Sequence, residues 1–144
     1  MIRKAEIKDL AILSELACQL WPENTVEEMR AELAGIIIKP DAAFFLAYGE
    51  NVPIGFAQCQ LRHDYVEGTD SSPVGYLEGI YVAEEYHKQG FARELLVACE
   101  NWSKEKGCAE FASDCELDNL QSLKFHLNVG FEEANRIICF TKKI

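Results

Sequence analysis

The sequence contains no apolar run approaching the ~18 residues that a membrane span needs, and no membrane partner is expected. Its opening, MIRKAEIKDL, lacks the apolar core of a secretion signal, so a cytoplasmic protein is expected. No Cys-x-x-Cys occurs among the six cysteines at 18, 59, 99, 108, 115 and 139, and their spacing fits no zinc pattern. No metal is expected. The cysteines read as buried free thiols, most of them among apolar neighbours as in LACQL and RIICF. Basic residues are also scarce: 14 Lys and Arg stand against 24 Asp and Glu, a formal net charge of −10. That argues against nucleic acid, whose phosphates need a cationic face. It suits a cationic small molecule, because a negative cleft concentrates cations, and it equally suits a protein kept soluble by its charge. Repeats, low-complexity tracts and Pro/Gly/Ser linkers are missing as well, so a single domain over 1–144 is expected. A chain of this length can bury a real core without staples.

What is present is a series of short periodic segments. IRKA reads as a first strand. Leu10, Leu13, Ala17 and Leu20 recur at helical spacing up to Trp21-Pro22. Residues 25–38 read as a second helix with Thr25 as N-cap and Glu28 three residues on. AAFFLAY and VPIGFAQCQLR are strands joined at GEN, and HDYVEGTDSSP is a polar loop before the strand VGYLEGIYV. Phe91, Leu95, Cys99 and Trp102 form one stripe of a helix over 90–106, stopped by Gly107. CAEFASD returns as a strand. Asp118 and Gln121 start a helix ended by Gly130, and RIICFTKK closes as a strand. The order β-α-α-β-β-β-α-β-α-β implies antiparallel hairpins first and parallel strand–helix–strand units later. The expected class is α/β, a mixed sheet with helices on both faces.

Two stretches carry candidate chemistry. In HKQGFA, a loop turns into a helix at Gly90, with Lys88 and Arg93 beside it. A helix N-terminus offers unpartnered N–H groups to an anion, and glycine permits close approach. Neither a P-loop nor a G-x-G-x-x-G pattern is present, so an ordinary loop and helix start stays open. In YLEGIYV, one carboxylate, Glu78, interrupts an apolar strand. Burial raises a carboxylate pKa and suits it to take a proton from an ammonium. A structural acid paired with Arg or Lys is the alternative. If the strand is regular, Glu78, Ile80 and Val82 share one face. Asp114 ends the strand CAEFASD, where α/β sheets place ligands, although a turn-forming Asp reads the same way.

The order of elements and two separated motifs resemble the GCN5-related N-acetyltransferase family. The family loop runs Gln or Arg, two variable residues, Gly, one variable residue, then Gly or Ala. Here it is His87-Lys88-Gln89-Gly90-Phe91-Ala92, with His87 departing at the first position. Downstream, DNLQSLKFHLNVGFEE aligns Asn119, Ser122, Gly130 and Phe131, with His126 where the family has Tyr. The resemblance implies a mostly antiparallel sheet with a parallel pair splayed at its centre. It implies acetyl-CoA as cosubstrate, its pyrophosphate held by the main chain of His87 through Arg93. It further implies pantetheine against the backbone of Ile80, Tyr81 and Val82 in a bulged strand, and a contact from Asn119. His126 reads either as proton donor to the leaving thiolate or as a helix-face residue.

QLWP, RHDYVEGTDSSP, LEGI and ASD are similar to one subset, the aminoglycoside 6′-N-acetyltransferases. That resemblance implies a polycationic sugar held by Trp21, Tyr65, Glu78 and Asp114, with Glu78 and Asp114 catalytic. Asn135 stands where the subset places a last substrate-contacting acid. Acids suit amines, and aromatic faces suit sugars and cations. It also implies a homodimer sharing C-terminal strands. No cysteine sits in a nucleophile motif, so direct attack in a ternary complex is expected. An acetyltransferase for a polyamine, metabolite or protein amine remains open, as does an acyl-CoA-binding sensor.

Overall fold

The computed structural model describes residues 1–144. Its framework is a five-stranded sheet in the order β1-β2-β3-β4-β5. The strands are β1 (Ile2–Lys4), β2 (Ala42–Gly49), β3 (Val52–Arg62), β4 (Val74–Val82) and β5 (Phe111–Ala112). The first four pair antiparallel, and β5 lies parallel to β4 at Gly75↔Phe111 and Tyr76↔Ala112. The GEN turn puts Glu50 and Asn51 at φ 51° and 68°, a left-handed pair that matches the twist of the hairpin.

Helices α1 (Leu10–Leu20) and α2 (Val26–Ile37) cover one face, where Leu13, Ala17, Met29 and Leu33 pack on Phe44, Leu46 and Phe56. Thr25 and Glu28 form the reciprocal capping box expected for α2. Helix α3 (Phe91–Glu105) covers the other face, setting Leu95, Leu96, Cys99 and Trp102 against Phe45, Ala57, Leu77 and Val82. Helix α4 (Leu120–Asn128) follows β5. No helix is long and apolar enough to cross a membrane.

A half-buried ion pair locks the first strand to the first helix. Arg3 Nη1 and Nη2 donate to Asp9 Oδ2 and Oδ1, both at 2.8 Å, and Nη2 also reaches Tyr48 Oη at 2.7 Å. Asp9 is 4% exposed. The Arg3 guanidinium, aided by the Glu6 N–H, holds the Asp9 carboxyl at about 2 despite its burial.

Four expectations need correction. RIICFTKK forms no strand: nothing beyond Asn128 is regular, and Ile138 and Phe140 are 80% and 91% exposed. A strand exists only where a neighbour completes its ladder, and no strand of this chain lies beside the segment. The parallel pair therefore stands at the sheet's edge and not its centre. The N-cap of α4 is Asn119, whose Oδ1 accepts from Ser122 N at 3.1 Å, and not Asp118. All six cysteines are free, but Cys115 and Cys139 are exposed, the latter because its segment is unpaired.

Candidate active site

Glu78 has no opposite residue in the sheet. Gln58 pairs with Gly79 and Cys59 with Leu77, which leaves Glu78 as the extra residue of a β-bulge. The bulge breaks the regular alternation. Leu77, Ile80 and Val82 pack towards α3, whereas Glu78 lies with Tyr76, Gln60 and Gln58 on the α1/α2 side. The acid and Ile80 thus do not share a face, as a regular strand would require.

On that side Arg62 meets Glu78 through three hydrogen bonds. Nε donates to Oε1 at 3.2 Å, and Nη2 donates to Oε1 and Oε2 at 3.0 Å each. Its guanidinium carbon lies 3.4 Å from the centroid of the Tyr76 ring. The Tyr76 hydroxyl donates in turn to Asp114 Oδ2. Burial, then the Asp114 bond, pushes the Tyr76 phenol well above its ordinary range, so it stays a donor. The two expected acids are joined through Arg62 and Tyr76.

Glu78 also lines a cavity of ≈ 340 Å³ with Trp21, Glu23, Asn24, Glu32 and Gln58. Trp21 is both core and wall: its ring stands edge-on to Phe56 at 6.0 Å between centroids. Gln58 is 6% exposed, and its one side-chain hydrogen bond is a long 3.5 Å donation to Gln60. Its carbonyl oxygen has no protein donor.

Beyond Tyr76, β4 has no strand on its outer edge, because β5 pairs only with Gly75 and Tyr76. Ser113 Oγ spans the start of the opening to Leu77 O at 3.4 Å. The bare edge, carrying the main-chain groups of Ile80 and Val82 while Tyr81 turns its own towards β3, leads towards the start of α3. There Gly90 has φ 90°, and Glu94 N is the first helical amide with an internal partner. The amides of Phe91, Ala92 and Arg93 precede it without a protein acceptor. The His87 ring is turned away from this cradle: its Nε2 donates to Val82 O at 2.7 Å. Gln89 donates to Glu85 O at 3.3 Å, and Arg93 reaches Asn128 O at 3.2 Å. Lys88, at φ 61°, has no ion-pair partner. Backbone donors in a concave turn fit a pyrophosphate, and an unpaired strand edge fits the amides of a pantetheine arm.

His126 Nδ1 lies 2.7 Å from Ser122 O. A carbonyl only accepts, so Nδ1 carries a proton, and Nε2 lies 2.8 Å from the Ser113 hydroxyl. No cluster of His, Cys, Asp and Glu is arranged to hold a metal ion.

Residues 10–131 match the acetyltransferase (GNAT) family. The chain belongs to this family. Aminoglycoside N(6′)-acetyltransferase type 1 of Serratia marcescens is 41% identical over 130 residues, 90% of this chain and 89% of that one. The enzyme of the same name from Stenotrophomonas maltophilia is 40% identical, covering 96% and 90%. Among solved structures, AAC(6′)-Iy bound to the bisubstrate analogue CoA-S-monomethyl-acetylneamine superposes with a TM-score of 0.95 at 40% identity, covering 100% of this chain and 98% of that one. The same protein with CoA gives 0.96.

In this acetyltransferase the fold brings Trp21 and Glu78 to one cavity and ties Asp114 to Glu78 through Tyr76 and Arg62. It leaves two expected substrate residues outside. Tyr65 is 77% exposed on its loop, and Asn135 donates to Glu67 at 3.1 Å on that same loop. Sequence reasoning missed Arg62, Tyr76, Gln58 and Gln60. One signal was available: Gln58 and Gln60 alternate through an otherwise apolar strand, which marks a polar strip on one face.

Proposed function

We propose that this acetyltransferase moves the acetyl group of acetyl-CoA to the 6′ amine of an aminoglycoside, by direct attack in a ternary complex. The observation that carries the reading is the bulge at Glu78. It turns one carboxylate into a cavity lined by Trp21 and acids, on the strand whose opposite edge is bare. Relatives named for this activity share the whole architecture.

The chemistry follows from charge. An alkyl ammonium with pKa ~10 must lose a proton before its nitrogen can attack. Glu78 holds that ammonium and accepts the proton, directly or through water. The amine nitrogen then bonds to the thioester carbonyl carbon, the C–S bond breaks, and the thiolate is protonated. Asp114 holds a further polar group of the sugar. Main-chain groups of Ile80, the amides from Lys88 to Arg93, and Asn119 hold the coenzyme; the His87 amide is engaged by Glu84 O, and Tyr81 turns its main-chain groups towards β3. Val82 O is already engaged by His87, so Val82 contributes through its other backbone group.

The exposed apolar residues of 137–140 support a homodimer in which each copy supplies the missing strand beside β5. We place the enzyme in the cytoplasm, where acetyl-CoA is made. Thiol release across an amine panel tests the activity. Kanamycin supports steady turnover, and spermidine and peptide amines do not. Glu78→Gln and Asp114→Ala each lose ~10²-fold or more of kcat/KM with unchanged folding. Turnover of spermidine at equal kcat/KM would replace the aminoglycoside with a polyamine.

A further inference from the structure

Arg62 performs two tasks with one planar group. Its edge pairs with both oxygens of Glu78, and its face lies 3.4 Å from the Tyr76 ring centroid. Tyr76, 6% exposed, passes the connection to Asp114 through its hydroxyl. Arg62 and Tyr76 come from neighbouring strands, and Glu78 and Tyr76 stand on the same face by strand alternation, before the bulge reverses it for Ile80 and Val82. Planar stacking and a forked donor set are properties of guanidinium that an ammonium lacks.

Lone pairs decide what remains for a substrate. A carboxylate offers about four acceptor sites, two on each oxygen. Oε1 of Glu78 takes two donors from Arg62 and is saturated; Oε2 takes one and keeps one site. Asp114 Oδ2 is engaged by Tyr76, and Oδ1 has no protein donor. Two carboxylates and one guanidinium sum to −1, the charge that one ammonium cancels. Without the guanidinium, the charge of Glu78 would be uncompensated beside that of Asp114, and the Glu78 carboxylate would be able to rotate.

We propose that Arg62 and Tyr76 are positioning residues that bind Glu78 and Asp114 into one unit, presenting Glu78 Oε2 to the acceptor amine and Asp114 Oδ1 to a second polar group of the same molecule. The proposal rests on the acceptor reading of this cavity. The unit selects acceptors that carry a donor beside the reacting amine, because a lone amine leaves Oδ1 unused. Coupling between Glu78 and Tyr76 passes through Arg62 and not through the sheet.

A double-mutant cycle tests it. Glu78→Gln, Tyr76→Phe and their combination are compared in wild-type and Arg62→Met backgrounds, with thiol release to kanamycin as the readout. Tyr76→Phe raises the acceptor KM ~10-fold and leaves the acetyl-CoA KM unchanged. The combined loss departs from the product of the single losses by ~5-fold or more in wild type, and by less than ~2-fold with Arg62→Met. Arg62→Lys does not rescue Arg62→Met. Multiplicative losses in wild type, or equal coupling in both backgrounds, overturn the bridge. A wild-type protein inactive on every aminoglycoside overturns the acceptor reading instead. The bridge is then read from the Arg62 Nε–H proton resonance, which is slow to exchange in wild type and fast in Glu78→Gln. Fast exchange in wild type overturns it.

Discussion

The Trp21 indole occupies the space a side chain at Gly79 would need. A Cβ built on Gly79 would come within 2.7 Å of Trp21 Cζ2 and Cη2, and within 3.0 Å of Leu20 Cδ2. The end of α1 is thereby seated on the β4 bulge, one residue from Glu78. Gly79→Ala pushes the indole aside, since the ring is stiff and Phe56 stands behind it. The expected outcome is a shift in tryptophan emission and a rise of ~10-fold in the acceptor KM, about 1.4 kcal/mol, with the acetyl-CoA KM unchanged. Initial rates with each substrate varied in turn provide the check.

Gly90 presents the opposite case. Its φ is 90°, and nothing lies within 4 Å of a Cβ built there. Gly90→Ala therefore meets no clash and bears only the left-handed strain, ~1–2 kcal/mol. The protein folds with a lower Tm, and the acetyl-CoA KM rises while the acceptor KM stays. Gly90→Asn, which tolerates that conformation better, falls between the two. Thermal melts and coenzyme titrations distinguish them.

Asp9 makes stability acid-sensitive within a narrow window. Its carboxyl is ordinarily near 3.8 and lies at about 2 in the folded protein, because Arg3 and the Glu6 amide favour the charged form. A depressed folded value means the contribution is present above 3.8 and is lost as pH falls towards 2. It amounts to about 2 kcal/mol at neutral pH. Asp9→Asn lowers stability to urea at pH 7, and the gap from wild type closes between pH 4 and pH 2. Equilibrium unfolding at several pH values measures it.

The tail beyond Asn128 carries the assembly prediction. Wild type sediments as a dimer, and a chain with Ile138→Asp and Phe140→Asp sediments as a monomer with secondary structure intact. A charge in a newly paired strand costs several kcal/mol when desolvated. Analytical ultracentrifugation over a tenfold range of concentration decides it.

Local signals were readable in the sequence, and relational ones were not. Thr25 and Glu28 announce α2 because both partners lie within one turn. Gly107 and the Leu95, Cys99 and Trp102 stripe announce α3 for the same reason. Glu78 stood out as an acid in an apolar strand, but its direction depends on which residues of β3 face Leu77 and Gly79, a register set by the whole sheet. Arg62 was invisible as a partner because it is sixteen residues away and meets Glu78 only across strands. RIICFTKK has every intrinsic mark of a strand, yet a strand is a pairing and not a property of one segment. Trp21 was read towards the sugar. The structure has it line the cavity and brace Phe56 at once.

The uncovered margin of β4 is also a hazard. Backbone left unpaired there is a template on which other chains could stack into fibres. The molecule keeps that margin short, from Leu77 to Val82, and follows it with Glu84 and Glu85. With a formal charge of −10 on every copy, close approach of two such margins is repelled at low salt. High ionic strength removes this protection; if coenzyme lies along the margin as proposed, storage with the nucleotide keeps the enzyme clear of aggregates where salt alone would cloud it.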